Sequence, residues 1–395
     1  MFRNHKNIKI IFGTSQIENN SSVIFDDEIL NFLGVLSEKI LNNKEAKKFP
    51  DLFTLGFWCR KSNLIKLKKD YNSEDFRLGR GLVLHITPSN VPLTFAYSLI
   101  FGLISGNSNI VRLPSKNFEQ VKLLIQILSL VLKKKKFTFI KKRFVLIKYK
   151  NSDDISEYLS KIVDGRLVWG GDKTVSKFKS FVTSPRCVDL FFANRFSVCL
   201  INIKSLNKLK DIEIKKLCNK FYNDSYLMDQ MGCSSPLIVF WLGSKESKYK
   251  EKFWNFFSQI VNEKYDFDLS ASNKKISNLT KLILNEKNLK PKYDRFNLLR
   301  INFKHLSERS INLNPHYGSF YEVKIDNLKK LSPYINKKLQ TLIYFGFKKK
   351  ELKNLIINEK IKGVDRFVPF GRAFDLNTKW DGYDIILNLS RIIAD

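Results

Sequence analysis

The sequence predicts an α/β protein built on a mostly parallel, doubly wound sheet. From about residue 80 onward, short apolar runs alternate with longer amphipathic segments. Helices of that length between strands act as crossover connections, which set the strands parallel and cover the sheet on both faces. A length of 395 residues suits two domains rather than one core.

The elements follow in order. Residues 81–87 (GLVLHIT) read as a buried strand, 88–92 as a turn and 93–105 as a helix. A second strand is expected at 109–113, then a helix at 118–132 with apolar residues at helical spacing. A strand at 143–149, a helix at 153–163 and a strand at 167–169 come next, and Gly170 and Gly171 open another helix. A strand at 196–203 completes the series. The pattern resumes after Cys233 with a strand at 237–241, a helix at 250–263 and strands at 340–345 and 364–368. The first 75 residues read as helical and polar, packed on the sheet or used in oligomerisation.

Composition narrows the function classes. The most apolar stretch, 93–104, has about a dozen residues, too few to cross a bilayer core of roughly 30 Å. The basic N-terminus lacks a long apolar run and a small-residue cleavage site, so secretion is not expected. The five cysteines, at 59, 187, 199, 218 and 233, are scattered and odd in number. That argues against a disulfide framework or zinc cage and for a reducing cytoplasmic setting. The net charge of +31 admits a nucleic-acid binder, but the lysines decorate many segments and read as a solvated basic surface. The same charge would also steer an anionic substrate or acidic partner.

Three loops hold residues that chemistry can use. Thr87, Pro88, Ser89 and Asn90 lie at the carboxyl end of a strand, where open α/β sheets bind ligands. Taken alone, the segment reads as a helix cap. Gly170, Gly171, Asp172 and Lys173 form a strand-to-helix turn that admits either a pyrophosphate or plain tight packing. Cys233 lies in the polar, small-residue loop 229–236, unlike the apolar settings of Cys199 and Cys218, so its thiol is the candidate nucleophile.

The combination is more specific than its parts. Pro88-Ser89-Asn90-Val91-Pro92, Gly106-Asn107 with Ile110-Val111-Arg112, Trp169-Gly170-Gly171 and Gln230-Met231-Gly232-Cys233 occur in this order. Together they resemble the aldehyde dehydrogenase superfamily. The fuller stretches 106–115, 165–172 and 233–236, with Phe370-Gly371-Arg372-Ala373 and Trp380-Asp381-Gly382-Tyr383, resemble its acyl-CoA reductase branch, typified by the fatty acyl reductase of bacterial bioluminescence.

The resemblance implies a Cys233 thiolate that takes the acyl group from a thioester, with the Asn90 side chain and the Cys233 N–H as oxyanion hole. It implies reduction by a nicotinamide, with Thr87, Pro88, Ser89 and Ser115 lining the cofactor and Gly170, Gly171, Asp172 and Lys173 by its pyrophosphate. Arg112 stands where the superfamily commonly has a lysine near the adenosine ribose. A guanidinium there pairs with a 2′-phosphate, which favours NADPH. Glu322 is the candidate for the superfamily's glutamate on the nicotinamide ribose. Aldehyde-oxidising members carry a Glu-Leu-Gly-Gly segment whose glutamate activates water. Between 184 and 203 this chain has no glutamate, only Asp189, which is read as structural, and the loss points towards reduction.

Other candidates are weaker. His85 reads as a buried, satisfied histidine, His305 and His316 lack metal-ligand spacing, and Phe192, Phe196, Tyr226 and Trp241 flank the site in sequence only. The expected layout is a cofactor domain over 1–228, a catalytic domain over 229–362 and a return over 363–395. The substrate is expected to be a long-chain acyl-CoA or an acylated partner protein, and a homo-oligomer is implied by the resemblance. The alternatives are a reductase of acyl phosphates and a basic nucleic-acid or scaffold protein on an idle dehydrogenase fold.

Overall fold

The protein is described by a computed structural model over residues 7–71, 76–89, 91–243, 247–266, 269–286, 289, 291–295 and 297–394. The chain forms two compact units, Met1–Ala193 with Gly382–Asp395, and Asn194–Asp381. The expected boundary at 228 falls later than this division, because strand 196–202 pairs within the second sheet rather than the first.

In the first unit the strands are β1 (Lys9–Phe12), β2 (Phe76–Gly79), β3 (Leu82–Ile86), β4 (Ser108–Arg112), β5 (Phe144–Lys148), β6 (Gly165–Trp169) and β7 (Val188–Phe192). Six of them form a sheet in the order β1-β5-β4-β3-β6-β7. β1 is antiparallel to β5, and β5, β4, β3, β6 and β7 run parallel. The order reverses at β3, which defines the switch point of a doubly wound sheet. β2 pairs instead with the last strand, Ser390–Ile393. The helix Glu119–Leu132 buries Val121, Leu124, Ile127, Leu128 and Val131 at helical spacing and packs against the helix Asp27–Leu41. The N-terminal region is helical as expected (Asp27–Leu41, Pro50–Trp58 and Lys61–Lys69), with the addition of β1, and the first helix buries Phe32, Leu33, Leu36 and Ile40.

The asparagines of the 106–109 motif hold this unit together. Asn107 accepts from the Gly81 N–H at 3.1 Å and donates to the Leu389 carbonyl at 2.9 Å. Asn109 donates to the Asn107 carbonyl, which turns its Oδ1 toward His85 Nε2 at 2.9 Å. His85 Nδ1 meets the Ser98 hydroxyl at 2.7 Å, and Ser98 accepts from Trp169 Nε1 at 3.1 Å. A neutral ring protonated on Nε2 satisfies this chain of donors. A Cβ on Gly102 would lie 1.9 Å from Asn109 Oδ1, so the helix needs glycine there.

In the second unit the strands are β8 (Phe196–Asn202), β9 (Pro236–Leu242), β10 (Pro291–Arg295), β11 (Leu298–Asn302), β12 (Ser319–Ile325), β13 (Leu339–Phe345) and β14 (Arg366–Pro369). Their order is β10-β11-β12-β9-β8-β13-β14, parallel except for the β10–β11 edge. Side chains alternate between two buried layers. Val198, Leu200, Ile238, Phe240 and Leu342 enter one core, and Cys199, Ile201, Val239, Trp241 and Ile343 the other. Both faces are covered, as a parallel sheet requires.

Burial lowers the His85 pKa to about 4, against a smaller opposing effect of Asn109. That lies below the unfolded value of about 6.5, so the unfolded chain binds more protons in this window and stability falls as pH drops. Denaturant unfolding should show the wild type losing about 2 kcal/mol more than His85→Gln in total between pH 7 and pH 5. Parallel pH slopes for the two proteins would contradict a neutral His85.

Candidate active site

The loop that carries Cys233 joins the helix Asp211–Tyr226 to the start of β9. Its backbone is held on both flanks. Gln230, at φ 58°, is buried and spends its whole amide on the loop's surroundings. Its Nε2 donates to the Pro236 and Ser319 carbonyls, and its Oε1 accepts from the Ser319 N–H at 2.9 Å. His316 Nδ1 lies 3.0 Å from the Gln230 carbonyl, so this histidine braces the loop. Beside the thiol, a Cβ on Gly232 would lie 2.7 Å from the Phe374 ring. That ring is placed by the Phe370-Gly371-Arg372-Ala373 turn, whose Gly371 and Ala373 N–H groups donate to buried Asp224.

Cys233 is fixed from two neighbouring strands. Its carbonyl accepts from Ser197 Oγ, on β8, at 2.7 Å, and Ser197 Oγ accepts from the Thr341 N–H. Its sulfur accepts from Gln340 Nε2, on β13, at 3.3 Å. The Gln340 amide also donates to Asp381 Oδ1, while its Oε1 accepts from Ser234 Oγ at 2.9 Å and Thr341 Oγ1 at 3.2 Å. Arg366 lies over Trp380 at 4.2 Å and donates to the Ala373 and Asp375 carbonyls.

All five cysteines are described, and Cys233 alone is exposed. The residue reaches solvent, yet protein packed around the sulfur thins its hydration and raises the thiol pKa. Asp381 adds to the rise, and Gln340, Ser234 and Arg366 oppose it. Burial also pushes up the thiols of Cys59, Cys199 and Cys218, and with Asp189 holds Cys187 at about 11. A thiolate is therefore most accessible at Cys233.

The cofactor candidates gather in the first unit at the carboxyl ends of β3, β4 and β6, beside the switch point. Thr87 Oγ1 donates to the Arg112 carbonyl at 2.8 Å, tying the ends of β3 and β4 together. The Arg112 guanidinium sits 4.3 Å from the Tyr149 ring centre and donates to Asn151 Oδ1 at 2.7 Å. Pro88 is half-buried, whereas Ser89 and Ser115 are exposed. Gly170 and Gly171 follow β6 and precede the helix Asp172–Ser180, whose N-terminus has no side-chain cap. Asp172 and Lys173 are exposed on its first turn. An uncapped helix start, a glycine pair and a guanidinium at one sheet edge fit the phosphates of a dinucleotide. Asn90 lies outside the described residues.

Two candidates have other tasks. Glu322 is fully buried; its Oε2 accepts from Trp241 and Trp254 and pairs with Lys250 at 2.9 Å, while Oε1 accepts from Arg300 at 3.0 Å. Both oxygens are committed to the core, so it does not present a carboxylate to a ribose. Asp189 takes two hydrogen bonds from buried Arg166, at 2.7 and 2.6 Å, in keeping with a structural role. Phe196, Tyr226 and Trp241 belong to the cores, and Phe192 stacks on Trp169. The residue that sequence reasoning missed is Gln340. Its signal was a polar Gln340-Thr341 pair opening an otherwise apolar strand.

The two units define an aldehyde dehydrogenase fold. Similar structures include glyceraldehyde-3-phosphate dehydrogenase GapN from Methanocaldococcus jannaschii in complex with NADP (13% identity, 93% of this chain and 88% of that one, TM-score 0.63). Staphylococcus aureus AldH is similar at 12% identity, over 93% of this chain and 88% of that one, with TM-score 0.60. Proline utilization A from Bradyrhizobium japonicum aligns at 13% identity and TM-score 0.64, over 93% of this chain but only 42% of its own. The chain thus spans less than half the length of such proline utilization A proteins. No curated protein matches the chain. The model of the acyl-CoA reductase (LuxC) family matches residues 61–394, and the chain belongs to that family of oxidoreductases.

Replacing Glu322 with Gln leaves buried Lys250 without its counter-charge and removes one of the carboxylates on Arg300, which keeps Glu251. The variant should lose about 3–5 kcal/mol of stability, with the cofactor KM of the folded fraction unchanged. A cofactor KM raised tenfold at unchanged stability would instead place Glu322 at the ribose.

Proposed function

We propose that the protein reduces a long-chain fatty acyl thioester to the aldehyde through an acyl-enzyme on Cys233, with NADPH as reductant. The observation that carries this is the exposed Cys233 thiol, anchored at carbonyl and sulfur, in a member of the acyl-CoA reductase family. The thiolate attacks the thioester carbonyl, the bond to the carrier sulfur breaks, and the carrier leaves as its thiol after taking a proton. Gln340 holds the sulfur during attack, and the Ser197 bond to the Cys233 carbonyl keeps the loop from recoiling. The reduced nicotinamide supplies the hydride that takes the acyl group to the aldehyde level.

The first unit's residues would hold that cofactor. Arg112 meets the 2′-phosphate, and Gly170, Gly171 and the start of the helix Asp172–Ser180 meet the pyrophosphate, with Thr87, Pro88, Ser89 and Ser115 along its length. The Cys233 N–H would serve as an oxyanion donor, and the family resemblance implies Asn90 as the second. GapN is complexed with NADP, which supports the same cofactor class here. Reduction rather than oxidation is favoured because Asp189, the carboxylate of the 184–203 segment, is locked by Arg166 and is no free base for hydrolysis. The acyl donor is acyl-CoA or an acylated partner protein, and the enzyme works in the cytoplasm as a homo-oligomer. No described helix is long and apolar enough to cross a membrane.

Purified protein given radiolabelled long-chain acyl-CoA and NADPH should release labelled aldehyde, and Cys233→Ala should release none. Aldehyde formation by Cys233→Ala at the wild-type rate would overturn the reading. Arg112→Ala should raise the NADPH KM about tenfold, the cost of a lost charge-assisted contact, and leave the NADH KM nearly unchanged. Equal rises for both cofactors would mean that Arg112 does not read the 2′-phosphate.

A further inference from the structure

We propose that Gln340 is a positioning residue whose amide N–H stabilises the Cys233 thiolate, and that Asp381 opposes it from the other side of the same amide. This rests on the reading of Cys233 as the nucleophile. Gln340 is fully buried at the start of β13, and each of its polar atoms has a defined partner. The hydroxyls of Ser234 and Thr341 both face Oε1, which must accept. The amide nitrogen therefore points at the sulfur and at Asp381 Oδ1, using one hydrogen for each. Turning the amide over would set its oxygen against the Asp381 carboxylate, so the donor cannot swing away from the thiol.

The other hydrogen-bonding help to the thiol comes from Ser234. The charged groups that act on it are Asp381, which resists ionisation, and Arg366, which favours it. Asp381 is itself faced by Arg195, Asp365 and Arg366, and it sits at φ 49°, a backbone conformation that aspartate tolerates. The balance at the sulfur is thus set by an amide that donates to the thiol and a carboxylate that competes for the same amide. Weakening the amide should make the thiol harder to ionise; neutralising the carboxylate should make it easier.

The test is the pH dependence of iodoacetamide alkylation at Cys233, followed by peptide mass spectrometry on the full-length protein without substrate. Gln340→Met keeps the length and removes the donor. Its alkylation midpoint should rise by roughly one pH unit, and acylation by acyl-CoA should slow at neutral pH and recover above the new midpoint. Asp381→Asn should move the midpoint down. An unchanged midpoint in folded Gln340→Met overturns the proposal. If Gln340→Met does not fold, Asp381→Asn decides: a lower midpoint supports the proposal and an unchanged one overturns it. Midpoints that move as expected while Cys233→Ala still makes aldehyde would sink the reductase reading alone. Inactive Cys233→Ala with unmoved midpoints would sink only this inference.

Discussion

Strand β8 is hydrogen-bonded to β9 along one edge and to β13 along the other, and this pairing decides where the thiol sits. Ser197 opens β8, Cys233 stands just before β9 and Gln340 opens β13, so three residues far apart in sequence meet at the amino edge of one sheet. The ladder is rigid because both of its faces are buried, with aromatic and branched side chains alternating between two cores. A loop on such an edge inherits the precision of the strands beneath it. Gln230 and His316 then hold the loop's near end to the turn before β12.

The first unit obeys the opposite rule. Its candidate ligand residues lie at the carboxyl ends of β3, β4 and β6, where helices begin. Phosphate binding suits that edge because the helix dipole is positive there. The thiol site lies in a loop rather than at a helix start and obtains its stabilising donors from side chains. This contrast explains why the cysteine's partners are a glutamine and an arginine and not a helix start.

Much of the fold was legible because continuous apolar runs such as 82–86 and 144–148 admit few other readings. β7 is not among the expected strands because its apolar run, Leu190-Phe191-Phe192, is too short to stand out from the polar residues around it. Glu322 misled for a physical reason. A carboxylate inside an apolar strand signals function in a sequence, and its neutralising partners, Lys250 and Arg300, lie far along the chain on other elements. Asn107 and Asn109, taken as family wording, prove to be hydrogen-bonding struts for the Gly81 turn and His85. Gln340 escaped notice because its meaning depends on strand order: only when β13 lies beside β8 does the start of β13 come within reach of Cys233.

The central claim is that Cys233 carries the acyl group. Incubating the protein with long-chain acyl-CoA in the absence of nicotinamide, then digesting at low pH and mapping the adduct by mass spectrometry, tests it directly. One acyl group per chain is expected on the peptide containing Cys233, removed by hydroxylamine. An adduct on Cys187 or on a serine, or full aldehyde production with no adduct formed at Cys233, would contradict it.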